Sequence, residues 1–194
     1  RPKNATARFY GADLEIDNNE IYSCYAGDPN GTSIVNTNFY IQKTSLDGNL
    51  TWLKQYDLPG TNDWGFEINK TNNGIVVLAA QRNSPRGFIL FKIDLDGNIL
   101  WAQRFNLAHP FNDQHLLLGA NKLIEVGGQF VFTGYETVSS SEANLFVQRC
   151  DLNGIPLGLC TDFEPVNITI NTVENPVFYA VTPIVTDPNF SVQK

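Results

Sequence analysis

The chain has 194 residues, of which 13 are Lys or Arg and 20 are Asp or Glu, so its formal net charge is −7. Binding a phosphate backbone needs clustered Lys and Arg, and the absence of any basic stripe argues against nucleic acid as a partner. No apolar run is long enough to span a bilayer, so we predict no direct membrane span. The sequence contains no methionine and no apolar signal segment before Arg1, from which we expect the chain to be processed or excised from something longer.

Residues 10–57 have the pattern of four short strands joined by turns. Asn18 and Asn19 separate two alternating runs, which predicts a strand pair. Further along, an aromatic and β-branched run leads to Asp47 and Gly48, a pair that supplies the positive φ angles of a tight two-residue hairpin turn. The predicted strands cover 11–17, 21–26, 38–45 and 50–56.

The same pattern occurs three times along the chain. A phrase of twelve residues recurs at 38–49, 87–98 and 144–155, with a spacing of about 50 residues, the size of one small antiparallel sheet. Trp52 in the first unit and Trp101 in the second hold the same column, where the third unit has Gly158. The upstream strand pairs recur as well, so we predict four strands per unit.

A four-stranded unit of this size cannot bury both of its faces, so such units must stack on their neighbours. Stacked radially, they make a β-propeller. We therefore predict an all-β fold, a β-propeller of four-stranded antiparallel blades at about 10–57, 63–106 and 115–163. Propellers usually close with about four to eight blades, so three blades indicate part of a larger propeller. The alternative is an atypical fourth blade made by 166–194 with the N-terminus.

Residues 164–194 do not fit the repeat. Polar and apolar residues alternate from Val166 to Val173, which favours a half-buried strand, but Pro176, Pro183 and Pro188 follow. We interpret this tail as a connector to a further module, with a paired edge strand as the alternative.

The segments between the predicted blades carry the candidate binding residues. Both histidines lie in the second of these segments, at His109 and His115, where they could suggest a metal site or an acid/base pair. The first segment has the same Asn-Asp pair without histidine, which favours residues that order the loop backbone. Propeller ligands generally meet such loops, so the predicted contacts are Asn62, Asp63, Trp64, Asn112, Asp113 and His115.

The turn of the second phrase alternates oxygen-bearing side chains, at Asp94, Asp96 and Asn98, as calcium loops do. In the third phrase Ile155 takes the last of these positions, while the glycine persists in all three. Turn chemistry explains what persists, so we predict no metal and no cofactor, and these three residues are the one calcium candidate.

The chain has three cysteines, so at least one is unpaired within it. Cys150 and Cys160 flank the third hairpin and could form a disulfide. A two-residue turn would, however, place Cys150 opposite Leu157, a geometry that disfavours the bond. Cys24 lies on an apolar strand and is interpreted as a small buried hydrophobe.

Motifs for catalysis are missing from the sequence. It has no Gly-x-Ser-x-Gly, no cysteine with a plausibly paired histidine and no glycine-rich phosphate loop. We therefore predict that the chain is not an enzyme.

The repeated columns, an aromatic and an apolar residue, Lys, Leu-Asp-Gly-Asn and a following Trp, resemble the propeller repeats of secreted and cell-surface proteins of gliding-type bacteria. Many of those proteins are adhesin-like and exported by the type IX secretion system. The resemblance covers about 10–163. Quinone-dependent dehydrogenases and outer-membrane assembly propellers share an Asp, Gly, Trp signature and give a competing resemblance with shorter blades.

The resemblance implies a secreted or cell-surface module, extracellular and non-catalytic, that recognises a protein or a glycan through its loops. Its partners would be that ligand and other modules of the same parent chain. Two alternatives stay open: a propeller that forms part of a secreted enzyme, such as a polysaccharide hydrolase or a quinone-dependent oxidoreductase, and a structural spacer in a surface filament.

Overall fold

The structure is a computed structural model that describes residues 8–28, 38–58, 63–81, 87–106, 118–139, 142–158 and 163–173. Every regular element in these ranges is a β-strand, and no helix long and apolar enough to cross a membrane occurs among them. The strands are β1 (Arg8–Asp17), β2 (Glu20–Asp28), β3 (Asn38–Ser45), β4 (Leu50–Asp57), β5 (Asp63–Thr71), β6 (Gly74–Gln81), β7 (Gly87–Ile93), β8 (Ile99–Asn106), β9 (Leu118–Val126), β10 (Gln129–Ser139), β11 (Glu142–Asp151), β12 (Phe163–Pro165) and β13 (Thr169–Thr172). The predicted all-β class is confirmed.

The strands form three antiparallel sheets, one for each sequence repeat. Sheet 1 has the order β1-β2-β3-β4-β13, sheet 2 the order β5-β6-β7-β8-β12, and sheet 3 the order β9-β10-β11. Consecutive strands pair as hairpins, so each sheet is a meander. None of these sheets closes on itself.

Sheet 3 departs from the four strands predicted for each repeat. After its hairpin turn, the described chain forms no fourth strand on sheet 3 but an isolated bridge between Cys150 and Pro156. Proline lacks the N–H that a ladder needs, and Gly158 adopts a φ of 106° that disfavours extended backbone. These two residues stand where β4 and β8 begin in the other sheets.

Two hydrophobic cores hold the three sheets in a stack. We call the side of a sheet that looks toward the next sheet in the chain its forward face, and the opposite side its rear face. The first core joins the forward face of sheet 1 to the rear face of sheet 2, with Phe39 edge-on to Phe91 at 5.9 Å between ring centroids. The second joins sheets 2 and 3, with Phe88 4.8 Å from Phe146. All seven residues of β7 are buried, because sheet 2 is covered on both faces.

The first strands of the sheets, β1, β5 and β9, lie side by side along one edge of the stack. On the opposite edge, residues 163–173 return along the outer strands of sheets 2 and 1. β12 pairs with β8, and β13 pairs with β4. We call residues 163–173 the strap; its side chains Val166, Ile168 and Ile170 pack against the first core. Residues 174–194 lie outside the described ranges.

Candidate functional site

The hairpin turns that the repeated phrase builds are longer than predicted. In the first, the N–H of Ser45 bonds the carbonyl of Asn49 at 2.9 Å and the N–H of Gly48 bonds the carbonyl of Ser45 at 2.9 Å. This is a three-residue loop whose last residue, Gly48, has a φ of 83°. The same bonds recur at 94–98 and 151–155. The predicted two-residue turn was wrong because it needs two residues with positive φ, and here only the glycine has one.

Asp94 organises the second of these turns. Its Oδ1 accepts the backbone N–H of Asp96 at 2.9 Å and of Asn98 at 2.8 Å, and its Oδ2 accepts the Asn98 side-chain amide at 2.9 Å. Burial acts to raise the pKa of Asp94, but these hydrogen bonds outweigh it and hold the pKa below its ordinary value. Asp151 accepts two backbone N–H groups in the same way in the third turn.

Side chains of β4 in sheet 1 bond this turn at 94–98 of sheet 2. Along one side of β4, Trp52 Nε1 donates to the carbonyl of Leu95 at 3.2 Å, and the Tyr56 hydroxyl donates to the carbonyl of Gly97 at 2.8 Å. Between them, the Lys54 ammonium contacts the Asp96 carbonyl at 2.6 Å and Asn98 Oδ1 at 3.1 Å. Sheet 1 therefore holds the turn of sheet 2 by one aromatic, one basic and one further aromatic side chain.

The contact repeats between sheets 2 and 3, where Trp101 takes the role of Trp52. A Cβ added to Gly154 would lie 2.6 Å from the Trp101 ring, and one added to Gly97 would lie 2.9 Å from the Tyr56 hydroxyl. Around Gly48, in contrast, nothing lies within 4 Å of the added atom. The turn at 46–48 thus has the same geometry as the other two, but no described side chain packs on Gly48.

The calcium candidate Asp94, Asp96 and Asn98 is organised as a turn. N–H donors point at both carboxylate oxygens of Asp94, and the Lys54 ammonium already lies on Asn98 Oδ1. A calcium ion would have to displace these donors, since it requires six to eight oxygen ligands. No group of three or more metal-ligating side chains occurs among the residues that the structure describes. The arrangement favours the turn interpretation over a metal.

The recurring lysine of the phrase also has a structural partner. Lys43 lies 2.7 Å from Glu20 Oε2, which also accepts the Tyr22 hydroxyl at 3.0 Å, and the hydrogen bond from Lys43 lowers the pKa of Glu20. Its counterpart Lys92 donates to Asn73 Oδ1 at 2.7 Å. Burying an ammonium group requires such acceptors. Sequence reasoning did not find these pairs, although the column of basic residues was visible.

Charged side chains connect the first strands of the sheets. Lys70 Nζ lies 3.1 Å from Asp17 Oδ2 across sheets 1 and 2, and Lys122 bonds Glu67 across sheets 2 and 3. Asp13 accepts the backbone N–H of a sheet 2 residue at 3.1 Å. Burial, followed by the neighbouring Asp13 carboxylate, raises the pKa of Glu15. Charged contacts thus add to the apolar cores along this edge, where Ile68 and Leu123 are buried.

The described cysteines are buried thiols. Burial raises the pKa of Cys24 and of Cys150 to about 12, so neither is poised as a nucleophile. Cys150 is free in the structure, with its Sγ 3.8 Å from the carbonyl of Phe130. It lies opposite Pro156 rather than Leu157, because the turn has three residues instead of two. Cys160 lies outside the described residues.

The two predicted contact residues that the structure describes, Asp63 and Trp64, lie at one end of sheet 2. The turns within hairpins lie at what we call the turn end. At the opposite end, the loop end, Asp63 pairs with Gln81 in the last row of sheet 2, and Gly87 pairs with Asn106 in the same row. Trp64 is next along β5. Asn62, Asn112, Asp113 and His115 lie outside the described residues, so their part in a site stays a prediction.

No protein-family model matches the chain, and no curated protein matches it. Among solved structures, it is similar to the crystal structure of a "putative conserved lipoprotein" from Clostridium novyi NT, with a TM-score of 0.43 and 12% sequence identity over 73% of this chain and 87% of that chain. A likeness of this size carries no argument about the function of the chain.

Proposed function

We propose that the chain is a non-catalytic recognition module, secreted or displayed at the cell surface, whose three sheets are blades of a β-propeller and whose loop end binds a protein or a glycan. The antiparallel meanders, which stack face to face with their first strands gathered along one edge, support the propeller form. The resemblance to secreted propeller repeats of gliding-type bacteria supports the location and the type IX export route.

The polar residues that recur in the repeat bond other parts of their own sheets. Asp94 and Asp151 accept hydrogen bonds within their own turns, and Lys43 and Lys92 bond neighbouring strands of their own sheet. The repeated polar residues therefore hold each sheet and its turns together. Specificity would have to come from the parts of the chain that differ between repeats.

The described strand ends that flank those variable parts lie together, and this observation carries the proposal. The rows that pair Gly27 with Asn38 and Gln81 with Gly87 are at the loop end, while the short turns occupy the turn end. The connecting segments are 29–37, 59–62, 82–86, 107–117 and 140–141. Variable loops presented on one side of a rigid scaffold are a common basis for recognition.

Binding can be tested with two immobilised panels, one of purified polysaccharides and one of extracellular matrix proteins. We expect the chain to bind a member of one panel, and we expect Trp64→Ala or Asp63→Ala to weaken that binding without changing the circular dichroism spectrum. Asn72→Ala is the matched control, because Asn72 is an exposed residue at the turn end.

Binding that survives Trp64→Ala with unchanged affinity and fold would remove that residue from the site. Loss of binding in Asn72→Ala, with the loop-end variants unaffected, would contradict recognition at the loop end.

A further inference from the structure

The repeat allows each interface position to be compared across the three sheets. The second residue of the twelve-residue phrase is Phe39, Phe88 or Leu145, and the first two of these are 0% and 1% exposed in the cores between sheets. Leu145 is 81% exposed. The fourth residue follows the same rule: Ile41 and Leu90 are fully buried, and Val147 is 69% exposed. The forward face of sheet 3 therefore carries interface residues that no described part of the chain covers.

The rear face of sheet 1 is open in the corresponding way along β1, whereas Tyr40, on the β3 part of that face, is buried. Leu14 is 57% exposed, whereas Ile68 and Leu123, at the same position of sheets 2 and 3, are 1% and 0% exposed. The turn at 46–48 lies on this side of sheet 1. Its Leu46 is exposed, and there is open space around Gly48. In both other sheets that turn is covered by a tryptophan of the preceding sheet.

The two open faces carry apolar residues at the positions where the interface between sheets 1 and 2 carries opposite charges. The last residue of the first strand of each sheet is on the forward face; these residues are Asp17, Thr71 and Val126. The residue before it is on the rear face; these residues are Ile16, Lys70 and Glu125. Between sheets 1 and 2 these positions hold the ion pair Asp17–Lys70. At the open ends they are Val126, which is 55% exposed on sheet 3, and Ile16, which is 58% exposed on sheet 1. Stacking sheet 3 on a sheet 1 would place an apolar pair where the covered interface has the ion pair.

From this complementarity we infer that the forward face of sheet 3 docks on the rear face of sheet 1 of a second copy of the chain. The interface is heterologous, since different surfaces of the two copies meet, and it continues the stacking already present between the three sheets. Such an interface closes into a ring if the rotation permits and otherwise extends into a filament. The inference rests on the stack and not on the proposed ligand recognition.

The test is sedimentation velocity of the 194-residue chain and four variants, from about 1 to about 100 µM. We expect the wild type to self-associate, and Val126→Asp and Ile16→Lys each to weaken association about tenfold or more, because each places a charge against an apolar side chain. The double variant should associate more tightly than either single one, because the introduced carboxylate of one copy then faces the introduced ammonium of the next, as Asp17 faces Lys70. Leu100→Lys is the control, because Leu100 is 49% exposed on β8 and belongs to neither end face.

Circular dichroism and thermal unfolding establish that each variant is folded. A wild type that stays monomeric throughout would overturn the inference and assign these faces to another partner. So would a double variant no tighter than the single ones. Loss of association in Val126→Asp alone, with Ile16→Lys unaffected, would indicate contact between like faces and would equally overturn it.

Discussion

Three glycines in equivalent turns allow the contact between sheets to be measured separately from backbone strain. Gly48, Gly97 and Gly154 have φ angles of 83°, 79° and 79°. Alanine at any of them is strained by about 1–2 kcal/mol, because an L-residue disfavours the left-handed region. The three differ only in what the new methyl group meets.

At Gly48 the methyl group of alanine meets nothing within 4 Å, so Gly48→Ala should show the backbone strain alone. At Gly97 it would lie 2.9 Å from the Tyr56 hydroxyl and 3.1 Å from Trp52, and at Gly154 it would lie 2.6 Å from the Trp101 ring. Overpacking of this kind costs about 1–3 kcal/mol. We therefore expect Gly97→Ala and Gly154→Ala to reduce the free energy of unfolding by about 1–3 kcal/mol more than Gly48→Ala does.

Urea unfolding followed by tryptophan fluorescence measures these differences, because Trp52 and Trp101 lie at the two covered turns. Equal losses in the three variants would refute the conclusion that the tryptophan-bearing strands pack on the turns of the next sheet. A larger loss at Gly48 would show that the first turn is covered as well.

Three further outcomes are expected. The raised pKa of Glu15 means that the folded state binds the proton of this carboxyl more tightly than the unfolded state does, so the stabilising contribution of the proton is lost as pH rises through the folded pKa. Glu15→Gln should therefore raise Tm at pH 7 and leave Tm unchanged below the ordinary pKa of 4.5. Asp94→Ala should lower the free energy of unfolding by about 1 kcal/mol, because the turn loses its hydrogen-bond acceptor. Asp94→Ser should recover part of that loss, as Ser45 accepts a hydrogen bond in the turn at 46–48. EDTA should leave Tm unchanged, and a lower Tm with EDTA would support the calcium interpretation. Iodoacetamide at pH 8 should leave Cys24 and Cys150 unmodified in the native protein and should alkylate both in urea without reductant. Peptide mass spectrometry maps the modified residues, and protection of Cys150 in urea would support a disulfide.

The sequence was sufficient to predict the four strands of the first two repeats and three of those in the third, because aromatic and β-branched runs end at turn residues. It was also sufficient to place Trp52 and Trp101 in one column. It did not predict the turn type correctly, since an Asp-Gly pair fits both a two-residue turn and a three-residue loop that ends in glycine. Asn18 and Asn19 show the difference, because both have positive φ and they form a two-residue turn.

What the sequence could not predict depends on contacts distant along the chain. Lys54 has no local signal for binding a turn some forty residues later. The alternation at 166–173 favoured a strand, and β13 lies there, but the pairing of the strap with β8 and β4 is decided by the edges that those strands offer. The prediction of contact residues depended on the family resemblance, and of those residues only the backbones of Asp63 and Trp64 fall within the described ranges.

The strap has a consequence for how the molecule is made. Its strands pair with partners as far as about a hundred residues earlier in the chain, so sheets 1 and 2 are complete only after residue 172 has left the ribosome. Until then the outer strands β4 and β8 are open β-edges, and such edges invite pairing with other nascent chains. Synthesis stalled before the strap would therefore leave a species prone to aggregation, because the strap forms after the strands whose edges it protects.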